Sequence, residues 1–502
     1  MTSALCTVQV LKASRQGHRW PLHDVAATRA REFQLAPHIP LMQRAGLSVA
    51  QLAMAIAPHA QSLWIACGPG NNGGDGLEAA SHLQAWGKTV RVTWLGREET
   101  CPPEARSALH RARESGVMFQ AALPDSDEFD VAIDALFGLG THEHRSAPGA
   151  LDLARACAEH LNAARARGLP VLAVDLPSGL NGDTGQTFSY CVHASHTLSL
   201  LTIKPGLFTL QGRDHTGDVW FDDLRRSGDR ICLPDLGVSP SAWLTAKPKP
   251  LQRVHHSHKG SYGEINIIGG ADGMVGAVLL AARAAAWVEP SRPGAGKVFV
   301  GLLAGQPLAV DMLHPELMFR HAEDLEVSRG CTVMGCGAGA SARALNLLIR
   351  ALEESPCLVL DADALNMLAQ HPELQSKLRV RANRGLLTVL TPHPLEAARL
   401  LKADTSAVQA ARLASAQSLA DQFASVVALK GSGTVVAAPR QVPYVNSSGN
   451  AQLATAGSGD VLAGLLGGIL AQVLVAHAPN FGLAAAQKAV AEAVYLHGAR
   501  VD

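Results

Sequence analysis

The chain lacks an excess of charge of either sign, since 43 Lys and Arg stand against 43 Asp and Glu in 502 residues. That balance removes the electrostatic footprint of a general nucleic-acid binder or a membrane-surface protein, so the expected partners are small molecules, with no nucleic acid and no membrane. A cysteine framework is also missing. The nine cysteines are scattered without a C-x-x-C pair, and Cys67, Cys336 and Cys357 lie in or beside apolar strand-like runs, as reduced core thiols of a cytoplasmic protein do. No basic cluster precedes the short apolar stretch of MTSALCTVQVLKASRQG, so a secretory leader is not expected. The absence of G-x-x-x-x-G-K-[ST] excludes P-loop chemistry.

At this length two domains of roughly 200 to 250 residues are the default. A β/α rhythm runs through the first half: strands at 63–67, 89–95, 131–136 and 170–179 alternate with helices at 77–86, 103–115 and 149–167, behind a kinked helical segment at 25–53. The pattern weakens from Arg225 to Pro250, and the boundaries follow as a domain at 1–228, a linker at 229–250 and a domain at 251–502. In the second half strands are expected at 263–270, 297–303, 331–337, 356–366, 385–394 and 425–433, with helices at 274–288, 341–354 and 405–423. Near-continuous apolar strands separated by helices imply α/β domains with parallel sheets covered on both faces, whose ligands bind beyond the carboxyl ends of the strands.

Two glycine loops carry the chemistry. The first, Gly68-Pro69-Gly70-Asn71-Asn72-Gly73-Gly74-Asp75-Gly76, follows a strand; it formally fits G-x-G-x-x-G, but Pro69 stiffens the turn, and Asn72 and Asp75 offer oxygens better suited to a hard cation or a polar ligand. Asp134 and Asp175 end strands at the same edge, as functional carboxylates or as caps of neighbouring loops. The second loop, Ala456-Gly457-Ser458-Gly459-Asp460, opens a long apolar helix and forms an anion site at its N-terminus. Asp460 either caps that helix or serves as a general base beside a phosphoryl group. Asp361 and Asp363 end another strand, where capping weighs at least as much as a part in metal or substrate binding, and His255, His256 and His258 read as exposed, non-ligating histidines.

These residues also carry a family resemblance over almost the whole chain. GPGNNGGDG, DALFGLG and VDLPSGLNGDTG resemble the NAD(P)H-hydrate epimerase or YjeF N-terminal domain, while HKGSYGEINIIGG, MVGAVLLAARAA, LDADALN, TPHPLEAARLL, ALKGSGT and NAQLATAGSGDVLAG resemble the ribokinase-like ADP/ATP-dependent NAD(P)H-hydrate dehydratase. In this order they look like the bifunctional nicotinamide-nucleotide repair family. The departures are Gly-Leu-Gly at 138–140 for Gly-Thr-Gly, Gly-Cys-Gly-Ala-Gly at 335–339 for Gly-Pro-Gly-Leu-Gly, Leu395 for a glycine and Ser458 for a threonine.

The resemblance implies an N-terminal Rossmann-like three-layer sandwich and a C-terminal ribokinase-like α/β domain. In the first it places Asn72, Asp134 and Ser178 around potassium, hydrated NADH or NADPH (NADHX or NADPHX) against Asn71, Asn72, Gly73, Gly74, Asp75, Gly138, Leu139, Gly140, Thr141 and Asp175, and acid/base catalysis on Asp175. In the second it places the hydrate against Ala277, Gly337, His393 and Asp460, with Asp460 catalytic, and magnesium-bound ADP against Lys430, Gly431, Ser432, Gly433, Thr434 and Gly459. A homo-oligomer is expected for this fold class. A small-molecule kinase of the same fold, acting on a vitamin or sugar hydroxyl, and a nucleotide sensor without turnover remain the alternatives.

Overall fold

A computed structural model describes residues 8–10, 19–125, 127–140, 150–226, 238–249, 253–289, 292–306, 308–477 and 482–502. The chain divides into two compact units, Met1–Ala242 and Trp243–Asp502. In the first, strands β1 (Val8–Gln9), β2 (Ser62–Cys67), β3 (Thr89–Trp94), β4 (Met118–Phe119), β5 (Val131–Ala135), β6 (Val171–Val174), β7 (His196–Leu200) and β8 (Asp218–Asp222) form one sheet. Its order is β1-β8-β7-β6-β5-β2-β3-β4, and every pairing except that of β1 is parallel.

Alternation along β2 explains the layers. Leu63, Ile65 and Cys67 face a core built with helices Leu41–Ile56, Asn71–Ala85 and Pro103–Glu114, whereas Trp64 and Ala66 face a second core with Cys157 and Leu161 of helix Ala150–Ala166. Both faces are thereby covered, and the carboxyl edge is left for ligands.

In the second unit the strands are β9 (Ala242–Leu244), β10 (Glu264–Gly269), β11 (Lys297–Leu302), β12 (Met318–His321), β13 (Cys331–Met334), β14 (Cys357–Leu360), β15 (Leu387–Leu390), β16 (Val426–Leu429), β17 (Val435–Ala437) and β18 (Tyr444–Val445). They run in the order β12-β11-β10-β13-β14-β15-β16-β17-β18-β9. The pairings from β12 to β16 are parallel, and a hairpin makes β16, β17 and β18 antiparallel neighbours. Strand β9 lies inside the segment expected as a linker and pairs in parallel with β18.

The Ser458–His477 helix is long and apolar enough to cross a membrane by length and composition, yet Leu462, Leu465, Leu466 and Ile469 are buried in the core of this unit. Its glycines set the distance to helix Val275–Ala286: a Cβ on Gly464 would lie 1.9 Å from the Ala281 carbonyl oxygen, and one on Gly468 would lie 2.6 Å from that of Ala285. No side chain fits there. Gly464→Val is therefore expected to cost about 3 kcal/mol or more and to lower the unfolding temperature by roughly 10 °C. Differential scanning calorimetry checks this, and an unchanged transition would contradict the packing account.

Three sequence expectations are corrected. The helix expected from Leu77 begins at Asn71, because Gly70 is extended and accepts from the Gly74 N–H at 3.1 Å, so the glycines lie inside the first turns. They serve close packing rather than loop freedom, since a Cβ on Gly73 would sit 1.9 Å from the Gly68 carbonyl oxygen. The strands expected over 170–179 and 356–366 stop at Val174 and Leu360, where Asp175 turns at φ 66° and Asp361 begins a helix. The helix expected over 405–423 breaks into Thr405–Ala410 and Arg412–Phe423.

Candidate active sites

The N-terminal site lies beyond the carboxyl ends of β2, β5 and β6. The Asp134 carboxylate is fully buried and accepts from the Ser178 hydroxyl at 2.6 Å and from the Ser178 and Leu136 N–H groups at 2.7 and 3.2 Å. Burial pushes its carboxyl up to about 6 against those bonds. The Ser178 hydroxyl also accepts from the Phe137 N–H at 2.9 Å. Asn72 sits against the next residue, with its Oδ1 3.0 Å from where a Cβ on Gly138 would stand, and its buried amide nitrogen has no partner among the described residues.

Asp175 holds a left-handed backbone at φ 66°, a conformation that Asp and Asn tolerate better than most residues with a side chain. Its carboxylate pairs with the ammonium of the fully buried Lys204 and accepts from the Leu200 N–H at 3.0 Å. The Lys204 ammonium also donates to the Leu200 and Thr202 carbonyls at 2.8 and 3.0 Å, so its three protons are used. Two further carboxyls face this pair. Burial, the Asp175 charge and Glu32 push Asp75 up; burial and Asp175 push Glu32 up, against its hydrogen bond to Asn71. The site therefore couples an ion-paired carboxylate with neighbours that favour the protonated form, the separation an acid/base site requires.

The C-terminal site forms where β13 to β16 end at the N-terminus of the Ser458–His477 helix. Lys430, just after β16, donates to Asp361 at 2.5 Å, and a Cβ on Gly459 would lie 3.4 Å from the Lys430 ammonium and 3.7 Å from Asp361 Oδ2. Asp460 receives a hydrogen bond from the Cys336 thiol, while burial and then the charge of Asp361 push its carboxyl up against that bond and Lys430. Cys336 precedes Gly337, where a Cβ would lie 3.2 Å from that of Ala277, so these residues share one wall. His393 Nδ1 accepts from the Leu395 and Glu396 N–H groups at 3.1 and 3.3 Å. The neutral ring then carries its proton on Nε2, 3.3 Å from Glu396 Oε1, and burial with Lys430 holds it neutral. His393 is a hydrogen-bond donor here, not a base.

A base must be ionised to act, and the folded site raises the Asp460 pKa. The acid limb of any reaction that uses Asp460 as base is therefore expected above the ordinary carboxylate range, and Cys336→Ala should move it higher by removing a donor to the ionised form. A pH series on the rate of that reaction checks this; an acid limb at the ordinary carboxylate value, or one shifted downward in the variant, would contradict it.

Among the sequence candidates, Asp134 joins Ser178, and Lys430, Gly459 and Asp460 come together with Asp361. Gly431, Ser432, Gly433 and Thr434 form the β16–β17 turn, held from below by Arg412, which donates to the Leu429 and Lys430 carbonyls at 3.1 Å. Gly73 and Gly74 are buried, Asn71 is exposed, and Leu139 accepts from Arg29 at 3.0 Å beside Gly138 and Gly140. Thr141 lies outside the described residues. Asp363 receives the Gly339 N–H at 2.8 Å, a loop cap, whereas Asp361 caps nothing with its side chain. Sequence reasoning missed Lys204 and Glu32. Only Lys204 left a signal, as a lone charge within the apolar run SLLTIKPGLF.

A family model described as YjeF-related protein N-terminus matches residues 38–206, and one described as NAD(P)H-hydrate dehydratase matches residues 265–502. The bifunctional NAD(P)H-hydrate repair enzyme of Coxiella burnetii is 35% identical over 471 residues, covering 92% of this chain and 89% of its own. The chain belongs to the bifunctional NAD(P)H-hydrate repair enzyme family. The Escherichia coli member is 35% identical over 448 residues, covering 86% of this chain and 81% of its own. An ADP/ATP-dependent NAD(P)H-hydrate dehydratase from Bacillus subtilis, crystallised with ATP and Mg2+, is 29% identical with a TM-score of 0.39, over 49% of this chain and 83% of that one. In this chain the YjeF-related region holds Asn72, Asp134, Asp175 and Lys204, and the region matched by the dehydratase model holds Asp361, Lys430 and Asp460.

Proposed function

We propose that the protein repairs nicotinamide cofactors whose dihydropyridine ring has taken up water. The N-terminal unit interconverts the R and S hydrates of NADH and NADPH; the C-terminal unit dehydrates the S form with ADP, giving NAD(P)H, AMP and phosphate. One observation carries the reading: a single chain holds both matched regions, each with a carboxylate at the carboxyl edge of its own sheet. A kinase acting on a vitamin or sugar would need the second region alone.

In the epimerase reaction the ring nitrogen stabilises a planar carbon when hydroxide leaves as water, and water returns to either face. Asp175, anchored by Lys204, takes the proton of the returning water, while Glu32 and Asp75, whose pKa values burial and the Asp175 charge raise, are the carboxyls at hand for the departing hydroxyl. The oxygens of Asn72, Asp134 and Ser178 fit a hard monovalent cation, and the wholly buried Asp134 carboxylate supports potassium there. Bound potassium would supply positive charge that steadies this loop. Because the Asp134 pKa is raised to about 6, its contribution to stability is present below the unfolded value and lost as pH rises through about 6. At pH near 8, about two units above that value, potassium is expected to raise the unfolding temperature of the wild type and not of Asp134→Asn. Equal shifts in both proteins would contradict the site.

In the dehydratase reaction the difficulty is that hydroxide leaves poorly. Asp460 takes the proton of the ring hydroxyl, whose oxygen attacks the terminal phosphoryl group of magnesium-bound ADP, and AMP departs. The ring nitrogen then expels phosphate, and loss of a ring proton restores the dihydropyridine. Lys430, the glycine N–H groups and the Ser458 helix N-terminus meet the transferred charge. Phosphorus NMR on S-NADPHX with magnesium and ADP tests this: AMP and inorganic phosphate should appear in step with NADPH, whereas an accumulating organic phosphate would favour the kinase.

A further inference from the structure

Asp361 was left in the sequence between a helix cap and a part in chemistry. The structure removes the first reading, because its side chain makes no capping hydrogen bond although it begins the Ala362–Gln370 helix. It is 1% exposed at the end of β14, and one carboxylate oxygen accepts from the Lys430 ammonium at 2.5 Å. Lys430 is held at every other point too. Its N–H donates to the Pro392 carbonyl at 2.9 Å, and its own carbonyl accepts from Arg412 at 3.1 Å. The ammonium is left beside Gly459, in the first turn of the helix that carries Asp460.

We propose that Asp361 is a positioning residue for the dehydratase reaction: its carboxylate fixes the Lys430 ammonium at the N-terminus of the Ser458–His477 helix, where it meets the phosphoryl group leaving ADP. The inference rests on the function proposed above and deepens it. A phosphoryl transfer is accelerated chiefly by placing charge beforehand, and a lysine on a flexible four-carbon stem does not hold one place without a partner.

Asp361 has a second effect, on the charge itself. Burial opposes protonation of Lys430, but Asp361 and Glu396 outweigh it, and the ammonium is held above its ordinary pKa. The other titratable groups facing it are Cys336 from the loop after β13, His393 from before the Pro394–Leu401 helix, Asp460, and His497 from the Leu483–Gly498 helix. Both histidines are held neutral by burial. Without Asp361, Lys430 loses the largest influence that raises its pKa while its burial remains, and its pKa falls.

The test is a double-mutant cycle in the full chain, with MgADP and S-NADPHX as substrates and the epimerase rate as an internal control. Asp361→Asn is expected to lower the dehydratase kcat about 100-fold, to change KM for MgADP less than about threefold, and to bring in a basic limb at lower pH than in the wild type. Lys430→Met should lose as much, and adding Asp361→Asn to it should lose nothing further, since Asp361 acts through Lys430. The double variant removes both members of the pair, so its unfolding temperature separates misfolding from misplacement. Additive losses, or a pH profile unmoved by Asp361→Asn, would overturn the role of Asp361. Failure of the wild type to dehydrate would instead overturn the function it rests on.

Discussion

Asp460→Asn lowers the dehydratase rate by about 1,000-fold and leaves the epimerase rate unchanged. The substitution keeps shape and removes the ability to take a proton. The Cys336 thiol can still donate to the amide oxygen, and the Asp361–Lys430 pair is untouched, so binding of ADP should survive. Supplying S-NADPHX directly and following the reduced-nicotinamide absorbance isolates this step. Equal loss of both activities, with the fold intact, would contradict the assignment of two separate sites.

Asp175→Asn does the reverse, lowering epimerisation by about 100- to 1,000-fold with dehydration of the S form intact. Asparagine is among the few residues at ease in the left-handed conformation that Asp175 adopts at φ 66°, so the turn should persist. The complication is Lys204, whose side chain is wholly buried and would lose its counter-charge, at a cost of about 3–5 kcal/mol. Asp175→Asn with Lys204→Met removes both charges and keeps the unit folded. If that pair of substitutions restores stability but not epimerisation, the carboxylate is the chemical group; recovery of the rate would show that Lys204 alone had been misplaced.

The part of this architecture legible in the sequence is the part encoded locally. Apolar runs such as LWIAC and PCLVL gave strand positions, and the carboxylates that follow them landed at the functional edges because a strand end is a local property. The glycine loop after β2 was harder. Its residues prefer loops by propensity, and the helix from Asn71 forms because glycine alone lets that turn approach Gly68. What could not be read is pairing across distance. Lys204 meets Asp175 over 29 residues and Lys430 meets Asp361 over 69, and neither spacing follows a helical or strand period. Short antiparallel strands such as Val435–Ala437 and Tyr444–Val445 carry too few residues for a period-2 pattern to stand out.

The central claim is that one chain performs both halves of the repair, and recovery of reduced-nicotinamide absorbance from a mixture of the R and S NADPH hydrates tests it most directly. With magnesium, potassium and ADP, recovery is predicted to run to completion faster than spontaneous epimerisation permits, and not to begin without nucleotide. Recovery of the S form followed by a slow creep at the spontaneous rate would contradict the claim for the N-terminal site, and no recovery from a protein that still binds nucleotide would contradict it for the C-terminal one.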